Sequence, residues 1–420
     1  MQRPTSMRVV YFVSLFPCWS ETFIVREITA LMALGADVHI VSLKPASEAL
    51  VQSDAQTLLG QVLYPPGRAS SARLAATEVL RHPLHSLADL GQLIHGFMGK
   101  PKALAKSVVA WWRTLAMLGT VRRLRPDHLH AHWATYPSTA AMFAARRLGL
   151  PFSFTAHAHD IFLEDHLLAA KLKCAAFSVT ISQYNREFLA AAVGPAFVRN
   201  MRVIHCGVSP SNYAFAPGER QRGLILAVGR LDPIKGFAYL VDACGLMAAR
   251  GIDFTCRIVG EGPLRSALTQ KIAHLGLQHK VELLGARQHE DVRQLLNTAA
   301  VFVLPSVITP QGDRDGIPVA LMEAMACGTP VVSTRVSGIP ELVTDGTCGL
   351  LAAPGDAIDL AHCIERQLGA SPLEASSRVQ QARQAVEVDF NVTTEAGKLH
   401  AAIVEAGTYH RSVLTQARHA

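Results

Sequence analysis

Two acids stand out by their spacing. The segment RDGIPVALMEAMACGTPVV sets Asp315 and Glu323 eight positions apart, with Gly316 and Pro318 opening a run of helix formers between them. Eight residues is slightly more than two helical turns, so a carboxylate ahead of the helix and one along it can lie on roughly the same side. Two such acceptors suit a polyhydroxylated ligand, because hydroxyls give carboxylates strong charge-assisted hydrogen bonds. The plain alternative is an acid favouring a helix dipole plus a Glu buried without a task. Burying a charge inside ALMEAMACG without a partner is costly, which weighs against that alternative. Upstream, AVGRLDPIKG ends a strand-like run at Gly229 and follows it with Arg230, Lys235 and Gly236. Strand carboxyl ends in parallel sheets face the ligand crevice. Two cations there, beside a glycine that admits close backbone approach, would neutralise a diphosphate without Mg²⁺. Taken alone, a solvated Arg and Lys in a loop reads equally well. Between these stretches, IVGEGPLR brackets a strand-to-helix turn with Gly260 and Gly262. It reads as an anion-binding loop or as an ordinary tight turn.

The first half carries a different set, HAHWA with His130 and His132, and FTAHAHDIF with His157, His159 and Asp160. An H-x-H pair at a strand end can hold Zn²⁺, so these four histidines also admit a metal-dependent hydrolase. That reading leaves the acids and cations of the second half without a purpose. Ser20, in FPCWSETFIVREI, can cap a helix and offer its N-terminal N–H groups to an anion, or simply cap it.

Elements able to position these residues alternate along the chain. Short β-branched runs (RVVYFVSLF, DVHIVSL, DHLHAHW, FSFTAH, FSVTIS, RVIHCGV) are separated by helix-period segments, which is the pattern of parallel βαβ units. SPSNYAFAPGERQRG is polar and marks a boundary, after which LILAVGR, FTCRIVGEG, VELLG, VFVLPS, PVVST and GLLAA repeat the alternation. From about Pro372 onward the spacing predicts helices alone. The 420 residues therefore divide into residues 1–210, residues 211–395 and a closing helix, 396–420, that returns to the first domain. With 50% hydrophobic and 17% charged residues, both halves can bury a core.

The second-half motifs GRLDPIKG, VGEGPLR, LLG, VLPS, DGIPVALMEAMACGTPVV and SGIPELVTDGTCGLL, in that order, resemble the donor domain of retaining glycosyltransferase family 4. FPCWSETFIVREI, HAHWA and FTAHAHDIF resemble its subgroup that builds bacterial extracellular polysaccharides of the colanic-acid kind. The resemblance implies an α/β GT-B fold, two Rossmann-like domains facing across a cleft, with C-terminal helices packing back on the N-terminal one. It implies a hexosyltransferase that moves a sugar from a UDP- or GDP-sugar to a saccharide acceptor with retention, and without a metal or other cofactor. Glu323 would then hold ribose, Asp315 the transferred sugar, Arg230 and Lys235 the diphosphate, and His157 the reacting centre. Gly229 and Gly262 would let the backbone approach the donor. The family's first acid is Glu and here it is Asp315, and its glycine pair before the first helix is Trp19 and Ser20.

The net charge of +7 is concentrated. Between Arg68 and Arg125, ten basic residues face only Glu78 and Asp89. This helical insertion, about 66–125, lacks the interleaved aromatics and glycines of a nucleic-acid module. Its cations, mixed with apolar residues and Trp111 and Trp112, fit a helix resting on anionic headgroups, or a solvated insertion whose tryptophans are core. The acceptor expected from subgroup and charge together is lipid-linked, at the inner face of the plasma membrane. Eight cysteines without C-x-x-C spacing fit a reducing cytosol. A relative that binds without catalysing is the remaining alternative, against which the four charged donor residues argue.

Overall fold

The computed structural model describes residues 7–18, 21–45, 53–162, 167–218 and 220–419. The chain forms two compact units, each built on its own parallel sheet. Unit 1 comprises residues 1–181, 185–204 and 395–420, and unit 2 comprises 182–184 and 205–394.

Unit 1 holds β1 (Arg8–Leu15), β2 (Asp37–Lys44), β3 (Val62–Leu63), β4 (His128–His132), β5 (Phe152–Ala156), β6 (Phe177–Thr180) and β7 (Met201–Val203). They lie in the order β3-β2-β1-β4-β5-β6-β7, all parallel. The chain runs outward from β1 to β2 and β3 and then jumps back past β1 to β4, so the carboxyl ends of β1 and β4 form the switch point at which open α/β sheets bind ligands. The central strands β1, β4, β5 and β6 are largely buried on both faces, as a helix-covered parallel sheet requires. Helix α1 (Thr22–Ala33) is followed by the short α2 (Ser53–Gln56), and the β3-to-β4 crossover carries α3 (Arg68–Arg81), α4 (Pro83–Gly96) and α5 (Pro101–Leu124). After β4, α6 (Tyr136–Leu148) ends at Gly149 in the left-handed region, where a glycine meets no Cβ penalty.

The basic insertion packs inward through α5, whose Trp111, Leu115, Met117, Leu118 and Val121 are buried. Trp111 therefore does not rest on a surface. Its indole N–H donates to Asp89 at 3.2 Å, and Asp89 also pairs with Arg146 and Arg147 at 3.1 and 2.8 Å. Glu78 is likewise buried, 3.5 Å from Arg122. Both acids of the segment are thus inside, and its exposed charge is entirely cationic.

Unit 2 holds β8 (Gln221–Val228), β9 (Thr255–Val259), β10 (Val281–Gly285), β11 (Ala299–Val303), β12 (Val331–Thr334) and β13 (Leu350–Ala352), in the order β10-β9-β8-β11-β12-β13. Its switch point lies between β8 and β11. The Pro372–Asp389 helix starts with a Ser371/Glu374 capping box. The last helix, Val392–His419, belongs to unit 1 from Glu395 onward, where His410 meets the carbonyl of Gly149 at 2.8 Å.

Candidate active site

In unit 2 the expected residues fall at the carboxyl ends of β8 and β11. Beyond β8, Pro233–Lys235 forms a 3-10 turn that Gly236 closes at φ +67°. A Cβ on Gly236 would also lie 1.9 Å from the carbonyl oxygen of Pro305, just past β11, so only glycine lets the two loops meet. The turn delivers the Lys235 ammonium to Asp315 Oδ1 at 2.7 Å, and the Ser306 hydroxyl donates to Asp315 Oδ2 at 2.6 Å. Asp315 is buried, with both carboxylate oxygens held before any ligand arrives. Eight residues on, the Val319–Ala326 helix carries Glu323, also buried, whose Oε1 accepts from the Tyr213 hydroxyl at 3.0 Å. Tyr213 in turn lies 3.2 Å from His289 Nε2. A buried carboxylate without such donors would be costly, and these partners keep it as an acceptor.

Two expected members are placed differently. The Arg230 side chain is 70% exposed, with Asp232 at 3.7 Å, and it does not join Lys235 and Asp315. Gly262 serves backbone packing: a Cβ there would sit 2.5 Å from the Leu231 carbonyl oxygen, and one on Gly260 1.9 Å from that of Gly229. The close approach of the β8 and β9 loops thus explains these glycines, which is the tight-turn reading. Gly229 itself sits under Lys235, with the lysine stem 3.6 Å from where its Cβ would be. Ser20 lies outside the described residues.

Unit 1 assembles a hydrogen-bonded chain at its own switch point. The Tyr11 hydroxyl donates to Glu27 Oε1 at 2.8 Å, the same oxygen lies 2.9 Å from His132 Nε2, and His132 Nδ1 lies 3.0 Å from His157 Nε2. Burial, with Glu27 adding to it, raises the Tyr11 hydroxyl well above its ordinary range, so it remains a donor. Burial, reinforced by His132, holds His157 well below its ordinary value, so that ring is neutral near pH 7. When His132 is neutral, its one ring hydrogen goes to the Glu27 carboxylate and its Nδ1 accepts from His157. His157 then offers a bare Nδ1, which has no partner among the described residues. A second anchor is Asp160, which accepts from the backbone N–H of His157 at 2.7 Å and from that of Ala134. Burial pushes its carboxyl up to about 7 against these bonds and the nearby Lys171.

Glu27, His130 and His132 bring possible metal-binding atoms within 4.8 Å of one another. Hydrogen bonding accounts for the cluster: His130 meets Ser153 at 2.7 Å and Thr155 at 3.1 Å through its two ring nitrogens, and both nitrogens of His132 are engaged. His159 is exposed and is not a member of that cluster. The four histidines therefore do not form one ligand set. Tyr11 and Tyr213 join these groups from outside the quoted motifs, whereas Glu27 lies in FPCWSETFIVREI and Ser306 in VLPS, where neither was singled out.

The comparisons agree with the two-unit architecture. The family model described as "Glycosyltransferase Family 4" matches residues 20–212, and "Glycosyl transferases group 1" matches residues 222–369. The amylovoran biosynthesis glycosyltransferase AmsK of Erwinia amylovora is 29% identical over 92% of this chain and 96% of its own. The putative colanic acid biosynthesis glycosyltransferase WcaL of Escherichia coli K12 is 30% identical over the same shares. Among solved structures, Anabaena Alr3699/HepE in complex with UDP and glucose has a TM-score of 0.67 at 18% identity, over 95% of this chain and 100% of that one. Sucrose-phosphate synthase of Thermosynechococcus elongatus has a TM-score of 0.66 at 20% identity, over 98% and 100%. Two parallel-sheet units, a donor-type acid pair behind the β8 turn and matches to both halves make this chain a GT-B glycosyltransferase of the family 4, group 1 type.

Proposed function

We propose that the chain transfers a sugar, with retention, from a nucleotide diphosphate sugar to a lipid-linked saccharide during exopolysaccharide assembly. The observation that carries the donor half is the Lys235–Asp315–Ser306 group at the switch point of unit 2, with Glu323 on the next helix. Asp315, already fixed by Lys235 and Ser306, takes the hydroxyls of the transferred sugar, and Glu323 takes those of ribose. The diphosphate gains charge as it leaves. Lys235 stabilises it in place and Arg230 reaches it from its exposed position, so no metal is required. No side chain is placed as a nucleophile, and same-face attack lets the departing phosphate take the acceptor's proton. His157 of unit 1 serves the reacting sugar through Nδ1. AmsK and WcaL, named for amylovoran and colanic acid biosynthesis, support the exopolysaccharide setting. HepE, solved with UDP-glucose, supports a UDP-sugar over a GDP-sugar.

The membrane half rests on α4. Leu84, Leu87 and Ile94 recur at helical spacing along it and are 79, 65 and 56% exposed, with Met98 just past its end at 74% and Leu80 of α3 at 80%. Around them the surface is cationic, which suits an anionic bilayer. No described helix is long and apolar enough to cross a membrane. A panel of UDP- and GDP-sugars read by thermal shift and donor hydrolysis, with and without EDTA, tests the donor reading. Stabilisation by one nucleotide sugar, lost in Lys235→Ala and indifferent to EDTA, is expected. No response to any donor refutes the assignment.

A further inference from the structure

A cavity of about 350 Å³ opens beside the switch point of unit 1, between Ser14 at the end of β1, Lys44 at the end of β2, Tyr136 at the start of α6, and α5. It is within the size range of small-molecule sites. Its walls are apolar, from Leu43 and Val109, and its charged groups are Lys44, Lys106 and Arg113, with no acid among the lining residues. Neither ammonium makes an ion pair among the described residues. Arg113 donates one N–H to the Leu43 carbonyl at 2.8 Å, which leaves other guanidinium donors available. Val109 and Arg113 also line an adjoining cavity of about 660 Å³, walled by Pro65, Val108 and Trp112.

We propose that the first cavity binds the phosphate group of the acceptor, and that the second takes the start of its hydrocarbon chain. The ligand class is a phosphate ester of a long isoprenoid or similar chain. Three cations that lack acidic partners define an anion site: Lys44 stands at the carboxyl end of β2, where such sheets bind ligands, and Lys106 and Arg113 face it from α5. The walls set the rest of the ligand. A sugar phosphate would need many hydroxyl partners, whereas the lining hydroxyls of the first cavity are those of Ser14 and Tyr136, and the adjoining one is walled mainly by prolines, valines and Trp112, with Arg68, Ser71 and Arg113 its polar lining. A hydrocarbon needs only apolar area. This inference rests on the lipid-linked acceptor proposed above, and its residues are separate from the donor group of unit 2.

The test uses the full chain saturated with UDP, or with GDP if that is the nucleotide that binds, so that the donor phosphate site is filled. Calorimetry then compares farnesyl diphosphate, farnesol and inorganic diphosphate. Farnesyl diphosphate should bind about tenfold or more tightly than either fragment, since each fragment lacks one half of the recognition. Lys106→Glu and Val109→Glu, both at exposed positions, should each weaken it by about tenfold or more while nucleotide binding certifies the fold. Equal binding of either fragment, or unchanged affinity in both variants, overturns the site. The two readings fail differently. Transfer to a free saccharide as efficient as to its polyprenyl diphosphate conjugate removes the lipid-linked acceptor and this inference with it. Preference for the conjugate with an unchanged KM in both variants removes this inference alone.

Discussion

Unit 1 buries three histidines whose protonation is opposed by their burial. Burial, helped by neighbouring histidines, lowers His128 to about 3 and holds His130 and His157 well below the ordinary 6.5. In the unfolded chain all three protonate near 6.5, so below that pH the unfolded state binds more protons and stability falls. Their contribution is complete above pH 6.5 and is lost as pH drops from there toward 3. Between pH 7.5 and 5.5 the three histidines together remove about 4 kcal/mol. Asp160 acts in the opposite sense. Raised to about 7, it holds a proton in the folded state that the unfolded chain lacks between roughly pH 4 and 7, which returns about 2 kcal/mol. The net loss is about 2 kcal/mol, or a urea midpoint lower by about 1 M. All four tryptophans (Trp19, Trp111, Trp112 and Trp133) lie within the residues of unit 1, so indole fluorescence reports its unfolding apart from unit 2. A midpoint that stays level or rises between pH 7.5 and 5.5 would show that these rings do protonate in the folded protein.

Lys235→Ala should lower donor affinity by about tenfold to a hundredfold and also destabilise the fold by leaving Asp315 buried and unpaired. Adding Asp315→Asn should restore the melting temperature without restoring turnover, and recovery of both would contradict the catalytic assignment. Glu323→Ala should abolish transfer, whereas Tyr213→Phe, which removes the 3.0 Å donor to Glu323, should cost about 1 kcal/mol and raise the donor KM. His132→Ala should depress kcat while nucleotide binding measured by calorimetry is unchanged, because it frees the His157 ring without touching unit 2. Leu84→Asp with Leu87→Asp should reduce co-sedimentation with anionic vesicles by about tenfold or more, and unaltered sedimentation would remove α4 from the membrane reading.

Local sequence carried the scaffold well. Helices set by their own caps and glycines, such as the one ending at Gly149, and strands such as β8 read directly, because their signals lie within a dozen residues. The acid pair was visible for the same reason, since Asp315 precedes and Glu323 lies on one short helix. What joined the site was not local. Lys235 and Asp315 are 80 positions apart and Tyr213 and Glu323 are 110, and nothing in the polar SNYAF stretch marks Tyr213 as a partner. Trp111 stayed open between surface and core for a related reason: a segment rich in cations looks like surface until Asp89 is found buried with Arg146 and Arg147. The glycine of IVGEGP suggested a ligand where the neighbouring loop's own backbone needed the room.

The contact of main chain with main chain around Gly236, Gly260 and Gly262 bears on how donor preference can diverge. With carbonyl oxygens 1.9 to 2.5 Å from any added carbon, mutational libraries at these positions would yield misfolded protein, and no altered selectivity. New sugars must instead be accommodated by exchanging side chains set on that rigid frame, among which is Asp315, the acid proposed above to hold the transferred sugar.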